Sequence, residues 1–380
     1  MASFDPSAFP GGLQTIAERE AALLAPYAMH SVDSRGRVHP EPPHPYRGPF
    51  QRDRDRIVHS AAYRRLSGKM QVFTGDKGDY HRTRLTHTQE VASIARTIGR
   101  ALRLNEDLIE ALALVHDIGH PPFGHAGEDA LDECLADEGG FSHNRQALAL
   151  VESLEQRYPD VPGLNLTREV LQGQTSRIDK QAAERPLLEV QVVDVSDGIT
   201  YSSHDVDDAV KLQLVTLDEL QDIALCRQCT DDVHRRFPGL SGKPLRRALV
   251  HRLIERQVND VLERAAGALK SHDQLSADEI RRQVRIEKSN ALTESAEQLQ
   301  TFLYQRVYRH EDLVKVRQAA QQRLRVMFQG YARRPELMPQ RFRDRAEAVG
   351  LRRAIADYLA GMTDRYCDDQ YRRHFSANGP

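Results

Sequence analysis

Cysteine is scarce: the 380 residues include four, and two of them, Cys226 and Cys229, form a CxxC with no second ligand pair elsewhere. That count excludes a disulfide scaffold, argues against a structural zinc and fits a reducing compartment. No apolar run approaches the roughly 20 residues that a membrane-spanning helix needs. The opening of the chain also lacks a signal-peptide pattern, so a cytoplasmic protein without membrane contacts is expected. An excess of one charge is missing too. With 53 Lys and Arg against 55 Asp and Glu, the formal net charge is -2, which argues against a general nucleic-acid-binding surface and makes any phosphate-binding charge local. Neither strand alternation nor an internal repeat is present, which leaves an all-α fold.

What is present is helical patterning broken by Gly/Pro loops. Residues 1–50 begin with a short helical stretch around 13–27 and loosen at Pro40, Pro42, Pro43 and Pro45 into an N-terminal arm. Residues 51–215 hold every candidate ligand, with loops near Asp76-Lys77-Gly78-Asp79 and from Pro159 to Gly163. Residues 216–380 continue as charged helices, with a break from Arg334 to Gln340, and should supply packing and oligomer contacts.

The most informative segment is His116-Asp117-Ile118-Gly119-His120-Pro121-Pro122-Phe123-Gly124-His125. His-Asp alone means little, since it recurs at His204-Asp205 and His272-Asp273; the setting distinguishes the first copy. Asn105 suits an N-cap, Glu106 and Asp107 suit the positive end of the helix dipole, and Leu108, Leu112 and His116 follow at i, i+4 and i+8. Ile109, Ala113 and Asp117 make the adjacent row. Both polar residues therefore point inward, where an unpaired carboxylate is costly unless a cation or donors meet it.

A first-row metal needs more ligands. His87 continues the stripe of Val91, Ile94, Ile98 and Leu102, and Asp197 shares one with Val190, Val193, Tyr201 and Asp205. His87, His116, Asp117 and Asp197 make a mixed N/O set for a divalent ion such as Mn, Mg, Co, Ni, Fe or Zn, with positions left for water or substrate. Asp194, three residues earlier, is the rival to Asp197; Tyr201 and Asp205 extend the face of Asp197 and favour it.

Several runs together resemble the HD-domain phosphohydrolases: Arg82 to Val91, His116 to Glu128, Phe141-Ser142-His143-Asn144 and Val192 to Tyr201. Within that superfamily the chain is similar to the deoxyguanosinetriphosphate triphosphohydrolase-like (dGTPase) branch. Supporting pieces are Arg52 to Leu66, Lys69 to Phe73, Phe302-Leu303-Tyr304, Tyr308-Arg309-His310 and Ala360 to Arg365. The resemblance covers most of residues 50–375. It implies an HD-type helical phosphohydrolase core with an additional C-terminal helical region, and hydrolysis of a deoxynucleoside triphosphate to deoxynucleoside and tripolyphosphate.

Such a reaction needs cations for a tetraanionic substrate, a metal to polarise the phosphoryl oxygen or acidify water, and a proton for the leaving 5' oxygen. His125 matches a catalytic position of the family and is the candidate acid, with a nucleophilic role as the alternative. Glu128 orients it if a helix starts near Gly124. His143 matches another active-site histidine, and His120 is read as a phosphate or turn residue. A second metal on these histidines is the competing reading. Arg84, one helical turn before His87, addresses phosphate; Gln71 and Tyr201 match sugar-side positions, and Asp205 lies one turn beyond Tyr201. Arg64, Arg65 and Lys69 are read as a solvated helix face, and Arg309 as structural. An additional Mg carried by the triphosphate, a dNTP activator and a homo-oligomer are implied partners.

Two departures from the family pattern, Gly198 after the candidate metal aspartate and Thr175-Ser176-Arg177, weaken any transfer of base preference. The alternatives are another HD-type nucleotide phosphohydrolase, or a non-catalytic nucleotide sensor or single-strand nucleic-acid binder.

Overall fold

In a computed structural model, residues 14–71, 82–179 and 184–376 are described; the loop expected at 76–79 lies outside them. Among the described residues there are 17 α-helices and no strand, only isolated bridges such as Met70 with Thr83. The all-α expectation is met. The helices are α1 (Ile16–Leu23), α2 (Pro49–Val58), α3 (Ala61–Arg65), α4 (Arg84–Ala101), α5 (Glu106–Val115), α6 (His125–Cys134), α7 (His143–Ala149), α8 (Arg168–Ile178) and α9 (Leu188–Lys211). There follow α10 (Ala224–Arg236), α11 (Gly242–Leu269), α12 (Ala277–Gln283), α13 (Asn290–Leu303), α14 (Glu311–Arg333), α15 (Gln340–Val349), α16 (Leu351–Ala360) and α17 (Asp364–His374). None is long and apolar enough to cross a membrane.

The chain divides into two compact units, each assembled from three segments. Unit 1 comprises Met1–Arg56, Gln89–Ala113 and Leu166–His310; unit 2 comprises Ile57–Thr88, Leu114–Asn165 and Glu311–Pro380.

In unit 1, α9, α10, α11 and α13 pack on one another. Their interior positions recur at helical spacing, with Val192, Val193, Ile199, Val206, Leu249, Leu253, Val261 and Leu299 all buried. Asn105 does cap the helix predicted from it: its Oδ1 accepts the Leu108 N–H at 3.2 Å, and its Nδ2 donates to Met29 O at 2.8 Å. The arm is extended but packed. Ala25, Ala28 and Met29 are buried, and Arg37 pairs with the buried Asp53, whose carboxylate also accepts the Thr167 N–H and hydroxyl.

In unit 2, α6 lies against α14, and α16 against both α14 and α15. The shared core holds Leu131, Leu135, Leu324, Met327, Phe328, Tyr331, Ile355 and Leu359. At about 1.5–3 kcal/mol for each large apolar side chain removed from water, this packing fixes α6 and therefore the residue that begins it, His125.

Candidate active site

The His-Asp pair sits where α5 has just ended. His116 and Asp117 follow Val115, both buried, in a turn that runs to Gly124. Two glycines make the turn fit. A Cβ on Gly119 would fall 2.1 Å from the His143 carbonyl and 2.3 Å from Ala147 N, so only glycine lets α7 approach this closely. At the far end Phe123 (φ 64°) and Gly124 (φ 58°) both adopt left-handed backbone, and Gly124 forms the N-terminal boundary of α6.

His87, Arg84 and the pair are brought together in unit 2. Ligand atoms of His87, His116 and Asp117 all lie within 4.8 Å of one another, and the two imidazole centroids are 5.8 Å apart. All three residues are buried. Two inward imidazoles and a buried carboxylate form a donor set that suits a first-row divalent ion. Arg84, with 1% of its surface exposed, donates from Nη1 to Asp117 Oδ2 at 2.8 Å. Burial alone would raise the Asp117 carboxyl, but His120, Arg84 and His116 outweigh it and hold the group well below the ordinary carboxylate range.

A second cluster adjoins the first through His120. Its Nδ1 lies 3.1 Å from Asp117 Oδ1, and its ring stacks on His143 with centroids 3.8 Å apart. Burial and the Arg84 charge push His120 well below its usual value, against the pull of Asp117. Glu128 then bridges two histidines. Its carboxylate meets His125 Nδ1 at 3.2 Å and His143 Nδ1 at 2.8 Å, and it accepts the His143 backbone N–H at 2.9 Å. Burial opposes ionisation of Glu128, yet the hydrogen bonds from His125 and His143 hold its carboxyl below the ordinary range. With α6 starting at His125, the i, i+3 geometry expected for His125 and Glu128 is present. The His125 side chain is 58% exposed, against 17% for Glu128, so the ring is held at its base and open at its tip.

Gln71 belongs to unit 2 as well; its backbone N donates to Arg82 O at 3.1 Å, next to the start of α4. Asp197, Tyr201 and Asp205 lie on α9 of unit 1. Within that unit Asp205 accepts a hydrogen bond from the Tyr308 hydroxyl, and the Tyr201 and Tyr308 rings stack with centroids 6.2 Å apart. Asp205 is buried. Asp194, the rival to Asp197, is 46% exposed and ion-paired to Arg177 at 2.7 Å. Cys226 and Cys229 are both free and buried, burial pushing their thiols up to about 12 and about 11.

One expectation is corrected. Lys69 is not on a solvated face: it is buried, donating from Nζ to His120 O at 2.5 Å and Ala360 O at 2.8 Å, and burial first, then Arg65, lowers it to about 7. Arg64 is exposed as expected, whereas Arg65 reaches Glu155 at 3.4 Å. Sequence reasoning also missed Asp364, whose carboxylate accepts the Met70 N–H at 3.0 Å and the Phe123 N–H at 2.8 Å. A polar residue just after a helix-capping Thr363 was the available signal.

Buried imidazoles and a carboxylate beside a carboxylate-bridged histidine pair, on an all-helical frame, fit the HD class of phosphohydrolases. Comparison with known proteins agrees. The HD domain family matches residues 84–202, and the phosphohydrolase-associated domain matches residues 286–373. A deoxyguanosinetriphosphate triphosphohydrolase-like protein from Brucella ovis is 43% identical over 92% of this chain and 95% of its own length. Proteins of the same description from Ralstonia pickettii and Geobacter sulfurreducens are each 40% identical, over 93% and 94% of this chain and 95% and 96% of theirs. The chain belongs to the deoxyguanosinetriphosphate triphosphohydrolase-like family of HD-domain proteins, and the family supports phosphohydrolase activity on nucleotides.

Proposed function

We propose that the protein hydrolyses deoxynucleoside triphosphates to deoxynucleoside and tripolyphosphate. The observation that carries this reading is the continuous path in unit 2 from Asp117 through His120 and His143 to Glu128 and His125. It joins a metal-ligand set to a solvent-reaching imidazole held by a carboxylate, the two components that phosphate-ester cleavage requires.

His87, His116 and Asp117 would hold a divalent ion, with Asp197 as the proposed fourth ligand. Bound there, the ion supplies Lewis-acid charge for the phosphoryl oxygens and for water activation. The chain's own residues do the rest. Arg84 neutralises Asp117 and adds fixed positive charge. His120 is proposed to meet a phosphate oxygen, and His143 supports its orientation by stacking. Water adds to the α phosphorus, the bond to the 5' oxygen breaks, and His125 delivers the proton which that oxygen takes up. Glu128 keeps Nδ1 of His125 engaged and so leaves Nε2 for the transfer. Tyr201 and Asp205 are proposed to contact the sugar, as is Gln71.

The test is incubation of the purified protein with each dNTP, singly and mixed, with Mg, Mn or Co, followed by identification of products. Tripolyphosphate release is expected. Mixtures are included because a dNTP activator is part of the proposal; orthophosphate or pyrophosphate would select another HD-type phosphohydrolase, and dNTP-stabilised melting without product a nucleotide sensor.

A further inference from the structure

Three separate pieces of unit 2 meet beside the 116–125 turn. Lys69 sends its ammonium to the carbonyls of His120 and Ala360, at 2.5 and 2.8 Å. Asp364 receives the N–H groups of Met70 and Phe123, at 3.0 and 2.8 Å. Residues 69–70, the turn, and the junction between α16 and α17 are thus tied by a cation at one point and a carboxylate at another. The Lys69 carbonyl also accepts the Arg84 N–H at 2.9 Å, which anchors the start of α4, the helix that carries Arg84 and His87.

The chemistry of this junction is costly. An ammonium with 2% of its surface exposed takes carbonyl oxygens rather than a carboxylate, and the carboxylate beside it is engaged by two backbone amides. Apolar packing would stabilise a mere contact between helices at lower desolvation cost. What the charged pair adds is direction. Phe123 is held at φ 64° and Gly124 at φ 58°; left-handed backbone at a phenylalanine persists only where the surroundings impose it. The Asp364 bond to Phe123 N acts at that residue, two positions before His125 and at the entry to α6.

We infer that Lys69 and Asp364 are positioning residues, a clamp that ties the turn to the C-terminal helices, fixes it and aims His125 at the reacting ester. The kinetic side of this inference rests on the hydrolase reading above; the conformational side does not.

The experiment compares full-length Lys69→Met and Asp364→Asn with the unsubstituted protein. Asp364→Asn keeps one acceptor and sets an amide donor against a backbone donor, a milder change should Lys69→Met fail to fold. Four readouts are taken: kcat and KM for dNTP hydrolysis, bound metal per chain, the urea midpoint, and amide hydrogen exchange in peptides covering 116–125 and α14. The clamp predicts a kcat reduced about tenfold or more, KM within about twofold, metal retained, and faster exchange in the turn than in α14. Asp364→Glu, which keeps two carboxylate acceptors, should recover part of the loss. Unchanged kcat in a folded variant, or exchange at 116–125 unaltered by either substitution, overturns the inference. If the unsubstituted protein hydrolyses no dNTP, the hydrolase reading fails while the exchange comparison still decides the clamp.

Discussion

His125 carries the sharpest consequence at the scale of single residues. It is the most exposed member of the histidine cluster and its ring neighbours His120 rather than being one of the proposed ligands, so His125→Ala should leave metal content at the level of the unsubstituted protein while turnover falls about 10²- to 10⁴-fold. Metal analysis and steady-state kinetics on one preparation check both halves. Glu128 gives a pH prediction. Its folded carboxyl titrates below the unfolded value, so the stability it contributes is present above about pH 4.3 and is lost as pH falls through the lower folded value. The melting difference between the unsubstituted protein and Glu128→Gln should therefore shrink as the solution is acidified below about pH 4.3. A difference that grows on acidification below that pH would contradict the assignment of the bridge. The inward direction of His87, His116 and Asp117 was legible from spacing, because each extends a stripe of apolar residues. The burial of Lys69 was not: a Lys after two Arg and a Gly reads as solvated, and only backbone carbonyls from distant segments make its burial tolerable.

At the scale of elements, the close fit of turn and helix is the determining feature. Gly119→Ala would drive a methyl into the backbone of α7, and neither His143 O nor Ala147 N can move without shifting the helix that carries His143. Overpacking of this kind should lower stability by about 1–3 kcal/mol, and activity with it, as read from urea unfolding and turnover. The helix ends were partly readable. The Asn105 cap is a local signal and holds, whereas α5 ends at Val115, so the apolar spacing that carries His116 and Asp117 inward runs past the helix into the turn. The ring stack of His120 on His143 was not readable, because it depends on how near α7 comes to the turn, and nothing in either segment alone reports that distance.

Across the whole molecule, each compact unit is built from three stretches of chain, so residues 311–376 belong to the same unit as the 116–125 turn although every unit 2 candidate lies before residue 150. Periodicity recognises helices but not which distant ones associate; the resemblance extended to the C-terminal residues without saying what they do. Leu324 in α14 tests that dependence. It is fully buried and its methyl lies beside Gly127 of α6, so Leu324→Ala should cost about 2–5 kcal/mol in urea unfolding. The central claim, that this site cleaves a dNTP at its α phosphorus, is tested most directly by single-turnover hydrolysis in ¹⁸O-water, with both products analysed by mass spectrometry. The predicted result is unlabelled deoxynucleoside together with tripolyphosphate carrying one ¹⁸O. Label in the deoxynucleoside, or release of pyrophosphate or orthophosphate in place of tripolyphosphate, would contradict it.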